Sequence, residues 1–148
     1  MDNLFAWTEN NRYHLSVGAV ILNSEGKILV HKLARIGDKY FLPKKTHKSN
    51  STLEDTLNRV EAEIGYKVKP IRYLGSRQST FPDNFGNQVS KTTLYILTEI
   101  VEQTQRDSED RDADSKLLWI DKTELIEIMK EQGKIENDLD ESSILERL

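Results

Sequence analysis

Cysteine is absent from the 148 residues. Disulfides, thiolate zinc sites and cysteine nucleophiles are thereby excluded, and a reducing compartment fits the composition. No apolar run approaches the roughly 18 residues that a membrane-crossing helix needs. The opening stretch MDNLFAWTENNRYH has neither a basic head nor an apolar core, so it does not read as a secretory signal. Positive charge is not in excess: the net charge is -4, which gives no global pull towards nucleic acid. His14, His31 and His47 have no zinc spacing, no serine–histidine–acid order stands out, and no P-loop glycine pattern occurs. His14 and His31 lie in or beside expected strands and read as structural. What remains is an intracellular protein, cytoplasmic or nuclear, with no membrane association and no nucleic-acid partner expected. Its length suits a single domain, 1–148, able to bury roughly 68–70% of its extended surface.

Residues 1–13 form a mixed, polar lead-in. Leu15 to Leu22 (LSVGAVIL) is β-branched and apolar, as a buried strand requires. A turn at Asn23-Ser24-Glu25-Gly26 returns the chain through Lys27 to Leu33, giving a hairpin. Tyr40-Phe41-Leu42 is a short strand stopped by Pro43, and Lys44 to Ser51 reads as a polar loop. The next helix takes Ser51 or Thr52 as its cap, Glu54 and Asp55 in its first turn, and Gly65 at its end. Leu53, Leu57, Val60 and Ile64 make one narrow apolar stripe along it. Val68 to Leu74 reads as an edge strand, because Pro70 cannot donate to a sheet ladder. Arg77 to Gln88 reads as a loop and Thr92 to Val101 as a strong strand. Residues 103–116 are a hydrophilic, acidic loop carrying Asp107, Glu109, Asp110, Asp112 and Asp114. Leu117 to Ile120 is a strand. A helix over 122–131 follows, capped by Asp121, facing inward with Leu125, Ile126 and Met129, and ended by Gly133. A short helix over 141–148 closes the chain. This order predicts an α+β fold, an α/β/α layering about a mixed β-sheet.

Leu42 to Tyr66 reads LPKKTHKSNSTLEDTLNRVEAEIGY, a loop followed by a helix. It resembles the signature of the Nudix pyrophosphohydrolases, G-x5-E-x7-R-E-U-x-E-E-x-G-U, where U is aliphatic or aromatic. Anchored on Gly65 and Tyr66, the pattern also meets Val60 at its first aliphatic position and Glu63 at the second acid of its pair. Lys44 stands at the first glycine, Asn50 at the first glutamate, Asn58 at the arginine, Arg59 at the next glutamate and Ala62 at the first paired acid. Members with an L-P-K-G opening have one more residue before the glycine, so Lys44 and Lys45 are both candidates for that place. The flanks extend the likeness. Val17-Gly18-Ala19-Val20, Ser90-Lys91-Thr92-Thr93-Leu94-Tyr95 and Trp119-Ile120-Asp121 each resemble family segments, so it covers about residues 14–148. Leu42-Pro43-Lys44 resembles the branch acting on diphosphoinositol polyphosphates and dinucleoside polyphosphates. The resemblance implies a Nudix-like α/β/α sandwich. In such folds helix carboxylates hold magnesium, which neutralises a diphosphate and activates a water against it.

Magnesium takes six oxygens in octahedral geometry, and Glu63 is the one box acid left to supply them. It is a weak metal candidate. Arg59 lies one turn before it, a permanent cation that repels a divalent ion and cannot act as a base. The two residues also fit an ordinary solvated helix pair, worth about 0.3–0.5 kcal/mol. The functional alternative has Arg59 pair with Glu63 and take over part of the metal's charge neutralisation. The basic loop of Lys44, Lys45, His47 and Lys48, together with Lys32, Arg35 and Arg77, is expected to surround a polyanion; a plain charged surface loop is the alternative. The acids between 107 and 114 either compensate for the lost carboxylates or form a solvated loop. The expected protein has a degraded hydrolytic site and binds a phosphate-rich ligand, such as an inositol polyphosphate or nucleotide, or a protein partner. The alternative is a magnesium-dependent pyrophosphohydrolase acting on inositol pyrophosphates or dinucleoside polyphosphates. Magnesium is expected only in that case, and otherwise no cofactor.

Overall fold

Alternation along the first strand sets the architecture. In β1 (Tyr13–Leu22), Ala19 and Ile21 enter one core cluster while Val20 enters another. This is the two-residue period of a strand buried on both faces. β2 (Ile28–Leu33) sends Leu29 to the first cluster and Ile28 and Val30 to the second. β7 (Lys116–Ile120) divides Leu117 and Trp119 from Leu118 and Ile120 in the same way. One face is covered by α1 (Leu53–Ile64) through Leu57, Val60 and Ile64. The other is covered by α2 (Lys122–Ile135) and the short α3 (Ser142–Leu145), through Leu125, Met129, Ile144 and Leu145. Burying each such side chain stabilises by roughly 1.5–3 kcal/mol. The result is an α/β/α sandwich in a computed structural model that describes residues 12–83, 85–110 and 114–148. Residues 1–11 of the expected lead-in, and Asp112, lie outside the described residues.

The remaining strands are β3 (Lys39–Phe41), β4 (Lys44–Thr46), β5 (Tyr66–Pro82) and β6 (Gln88–Gln103), and the sheet order is β3-β2-β1-β6-β5. β1 runs parallel to β6 from Tyr13↔Ser90 to Leu22↔Glu99, whereas the other pairings are antiparallel, so the sheet is mixed. The expected hairpin forms, but β1 and β2 meet only at Leu22↔Ile28. Beyond that point β1 takes β4 as its neighbour, with Ser16↔Thr46, while β2 takes β3 and β7. A cavity lies between the diverging ends, lined from β1, β2, β3, β4 and α1.

Local signals explain the elements that position this cavity. Thr52 Oγ1 accepts from the Asp55 N–H at 3.1 Å, and Asp55 Oδ2 accepts from the Thr52 N–H at 2.9 Å. This reciprocal capping box starts α1. Gly65 ends it at φ 73°, a left-handed value that favours glycine. Leu53 is exposed, so the buried stripe is three residues rather than four. Pro70 does mark an edge strand, with a bulge between Pro70 and Arg72.

Several expectations need correction. Lys44 to Thr46 is a strand, not loop, because its backbone completes the free edge of β1. Arg77 to Gln88 is largely strand: β5 continues to Pro82, and the turn is held by Asp83 Oδ1, which accepts from the Phe85 and Asn87 N–H groups at 2.9 and 2.8 Å. Its polar composition reflects an exposed edge ribbon. α2 runs through Gly133 to Ile135. A Cβ at Gly133 would lie 2.5 Å from the Asp140 Cβ, so this glycine permits a close approach and ends nothing. Asp121 stands at the cap position of α2 without a side-chain cap bond. Among the described residues no helix is long and apolar enough to cross a membrane.

Candidate functional site

The cavity has a volume of about 660 Å³ and its polar lining is Ser16, His31, Arg35, Lys44, Lys45, Thr46, Arg59, Glu63, Lys91 and Asp110. Phe41 and Phe81 add aromatic surface. Of the acids in α1, Asp55 is used in the capping box and Glu61 Oε2 accepts from the Val68 N–H at 2.7 Å. Glu63 alone among the helix acids lines the cavity, and it is buried.

Glu63 is held from two sides. Lys45 Nζ contacts its Oε2 and also lies 2.5 Å from Asp110 Oδ2. Burial pushes the Lys45 pKa down, but hydrogen bonds to Asp110 and Glu63 outweigh it, so the pKa is raised. His31 Nε2 lies 2.8 Å from Glu63 Oε1, close in distance though off the ideal hydrogen-bond direction. His31 Nδ1 is 2.6 Å from Ser115 Oγ, which accepts from Arg106 Nη2 at 2.9 Å. A Ser115 hydroxyl that donates to Nδ1 leaves the ring proton on Nε2, facing Glu63. Arg106 also donates from Nε to the Glu63 carbonyl at 2.8 Å and from Nη1 to the Ser115 carbonyl at 2.7 Å. A guanidinium at a helix C-terminus suits both its open carbonyls and its dipole.

Arg59 does not pair with Glu63, although the helical spacing allows it. Its Nη1 donates to the Thr46 carbonyl at 2.8 Å, joining α1 to β4. The cation that meets Glu63 is Lys45. Strand alternation along β4 sends Lys44 and Lys45 apart. Lys45 faces α1, while Lys44 Nζ turns to the opposite side and lies 3.0 Å from Glu141 Oε2. Glu141 is fully inside the protein; it accepts from the Leu42 N–H at 3.0 Å and from the Tyr95 hydroxyl. Burial alone would raise the Glu141 pKa, but the Lys44 charge and these hydrogen bonds hold it below the usual carboxylate value.

Other candidates are distributed differently. Arg35 lines the cavity beside Lys44 and Lys45. Lys32 does not; it belongs to a neighbouring depression with Asp114 and sits 5.7 Å over the Tyr40 ring. Lys48 is exposed and lies outside the lining. Arg77 is engaged elsewhere, donating to the carbonyls of Asn137 and Asp138 at 3.2 and 2.9 Å. His47 is buried against Thr56, with Nδ1 2.8 Å from Oγ1. From the acidic run, Asp110 reaches the cavity, while Asp107 and Glu109 are exposed. Sequence reasoning missed His31, Ser16 and Lys91 as cavity residues. For Ser16 and Lys91 the signal is strand parity, once β1 is paired with β6; for His31 it is parity along β2, which sets it two residues from Leu29 on the α1 side of the sheet.

The matched family covers most of the chain: residues 12–139 match the NUDIX domain, and the chain belongs to that family. Among solved structures it is similar to the MutT protein from Methanosarcina mazei Go1, at 19% identity and TM-score 0.57, over 93% of this chain and 94% of that one. It is also similar to a NUDIX hydrolase from Nitrosomonas europaea, at 17% identity and TM-score 0.61, over 90% and 86% of the two chains. At these identities the likeness shows the fold alone. No curated protein matches the sequence.

Nudix enzymes generally use a divalent metal such as magnesium. The donors in this cleft fit such an ion poorly. Among the described residues no group of three or more histidine, aspartate or glutamate side chains is placed to hold one. The two carboxylates that do face the cavity, Glu63 and Asp110, share an ammonium.

Proposed function

We propose that this Nudix-fold protein binds a phosphate-rich ligand in its cleft without hydrolysing it. The ligand is an inositol polyphosphate or a nucleotide, in keeping with the branch that Leu42-Pro43-Lys44 resembles, and the protein acts inside the cell, in cytoplasm or nucleus. One observation carries the reading: Lys45 Nζ lies between Glu63 and Asp110. It engages both acids that could have gathered a metal. Among the described residues the lining then holds five cations, Arg35, Lys44, Lys45, Arg59 and Lys91, against those two acids. Glu141, beneath Lys44, is the third acid nearby, so among the described residues an excess of two positive charges faces the ligand space. Such an excess in a half-enclosed cleft attracts a polyanion.

The test is phosphate release from a panel of diphosphates, with and without magnesium and manganese, alongside thermal shifts with inositol hexakisphosphate and nucleotides. A ligand at 100 times its Kd should add about 2.7 kcal/mol of stability. The reading expects stabilisation that weakens steeply with salt, and no metal-dependent release. Metal-dependent release would favour the second reading, a magnesium-dependent pyrophosphohydrolase, for which Asp110 would be the added carboxylate. A protein-partner role draws on Ile71 and Tyr73, which are 45% and 51% exposed on the edge strand β5.

A further inference from the structure

Among the described residues Lys91 has no carboxylate of its own. Among the described residues its ammonium makes neither a hydrogen bond nor an ion pair, yet it is half-buried and lines the cavity. The charged and titratable groups around it are Lys44 on β4, Arg77 on β5, His14 on β1 and Glu141 before α3. Glu141 is already engaged by Lys44, Tyr95 and the Leu42 N–H. An ammonium taken from water towards other cations is costly, and packing alone gives no reason for it.

A second orphan lies on the same face. Ser16 is 1% exposed and lines the same cavity, but its hydroxyl has no hydrogen-bond partner among the described residues. The parallel register pairs His14 with Lys91 and Ser16 with Thr93. Two-residue alternation therefore places Ser16 and Lys91 on one face of adjacent strands, as diagonal neighbours within reach of one small group.

We propose that Lys91 and Ser16 form an oxyanion subsite that receives one terminal phosphoryl group of the ligand. The ammonium supplies charge and the hydroxyl a hydrogen bond, each meeting a need that the protein leaves unmet. This rests on the reading of the cleft as a phosphate-ligand site and assigns the position of one phosphate within it. Burial first, and then the Lys44 charge, push the Lys91 pKa down to about 8. A bound phosphoryl group adds the missing counter-charge and raises it again. Binding slightly above that pH therefore draws a proton onto Lys91, and affinity falls as the pH rises past the free-state value.

The experiment is calorimetric titration of inorganic tripolyphosphate into the whole chain, in two buffers of different ionisation enthalpy, at about pH 8.5. Wild type, Lys91→Met, Ser16→Ala and the surface control Lys67→Met are compared. Lys91→Met should weaken binding at least tenfold and abolish proton uptake, Ser16→Ala should weaken it several-fold, and Lys67→Met should change little. Melting without ligand shows that Lys91→Met is folded; removing an uncompensated charge should leave its Tm equal or higher. Tripolyphosphate bound equally by wild type and folded Lys91→Met, with the same proton uptake, would overturn the subsite and leave the cleft reading standing. No binding of tripolyphosphate to wild type even at low salt would overturn both.

Discussion

The Lys45 ammonium contacts the carboxylate of Glu63, the one acid of α1 that lines the cleft, and carries Asp110 on its other side. On the proposed reading, a side chain of the protein supplies the positive charge that Nudix enzymes generally take from a divalent ion. Lys45→Met leaves two acids facing each other in a poorly solvated place. The variant should lose about 3 kcal/mol of stability, the usual cost of breaking a buried pair. Millimolar manganese or magnesium should recover part of that loss and leave wild type unmoved. Denaturant melts with and without metal measure it, and a variant indifferent to metal would show that the two carboxylates do not converge.

Restoring the box acids tests the same geometry from the other direction. Arg59→Glu with Ala62→Glu, combined with Lys45→Gly, returns two carboxylates and removes the resident cation. Magnesium binding by calorimetry should appear, with metal-dependent hydrolysis of some diphosphate. Arg59→Glu alone should bring little gain while Lys45 remains, and should loosen the α1–β4 junction, because the bond to the Thr46 carbonyl is lost.

Glu141 makes the cleft acid-sensitive. Its folded pKa lies below the ordinary 4.5 because the Lys44 charge and the Tyr95 and Leu42 hydrogen bonds outweigh burial. A depressed carboxylate contributes stability that is present above the unfolded pKa and lost as pH falls through the folded one. Glu141→Gln should therefore flatten the fall in stability below about pH 4.5. Glu141→Ala, which also strands the Lys44 ammonium, should cost about 3 kcal/mol near neutrality. Urea midpoints measured across acid and neutral pH check both.

Replacing Phe81 is expected to distinguish the two proposed ligand classes. Its ring lines the cavity and meets His14 edge-on, with centroids 6.1 Å apart. A base stacked on an aromatic side chain is worth about 1–3 kcal/mol. Phe81→Ala should weaken a nucleotide by roughly tenfold or more and hardly affect an inositol polyphosphate. Paired titrations of the two ligands against wild type and variant measure this, and equal losses for both would point to a structural role for the ring.

The sequence reveals this fold where its signals are local. Thr52, Asp55 and Gly65 mark both ends of α1 within its own span, and Pro70 marks the edge strand by chemistry that any neighbour must respect. β4 escapes notice because three polar residues acquire strand character only from pairing with β1. That pairing is also what separates Lys44 from Lys45. The Lys45–Asp110 contact joins positions 65 residues apart, and Arg59 turns to the Thr46 carbonyl rather than to its helical neighbour. Lys91 reads as an ordinary strand lysine until the parallel pairing of β1 and β6 sets it beside Ser16.

Leu42 and Glu141 lie 99 positions apart in the chain, yet the backbone of one rests on the side chain of the other. The entry to β4, which presents Lys44 and Lys45, is therefore propped up by Glu141 in the C-terminal segment. Nicking the chain near Asn137, an exposed position two residues beyond α2, would release that prop and its negative charge together. The cut protein should show a slacker and more electropositive mouth, so proteolysis there would alter how anions are received as well as how firmly the fold holds.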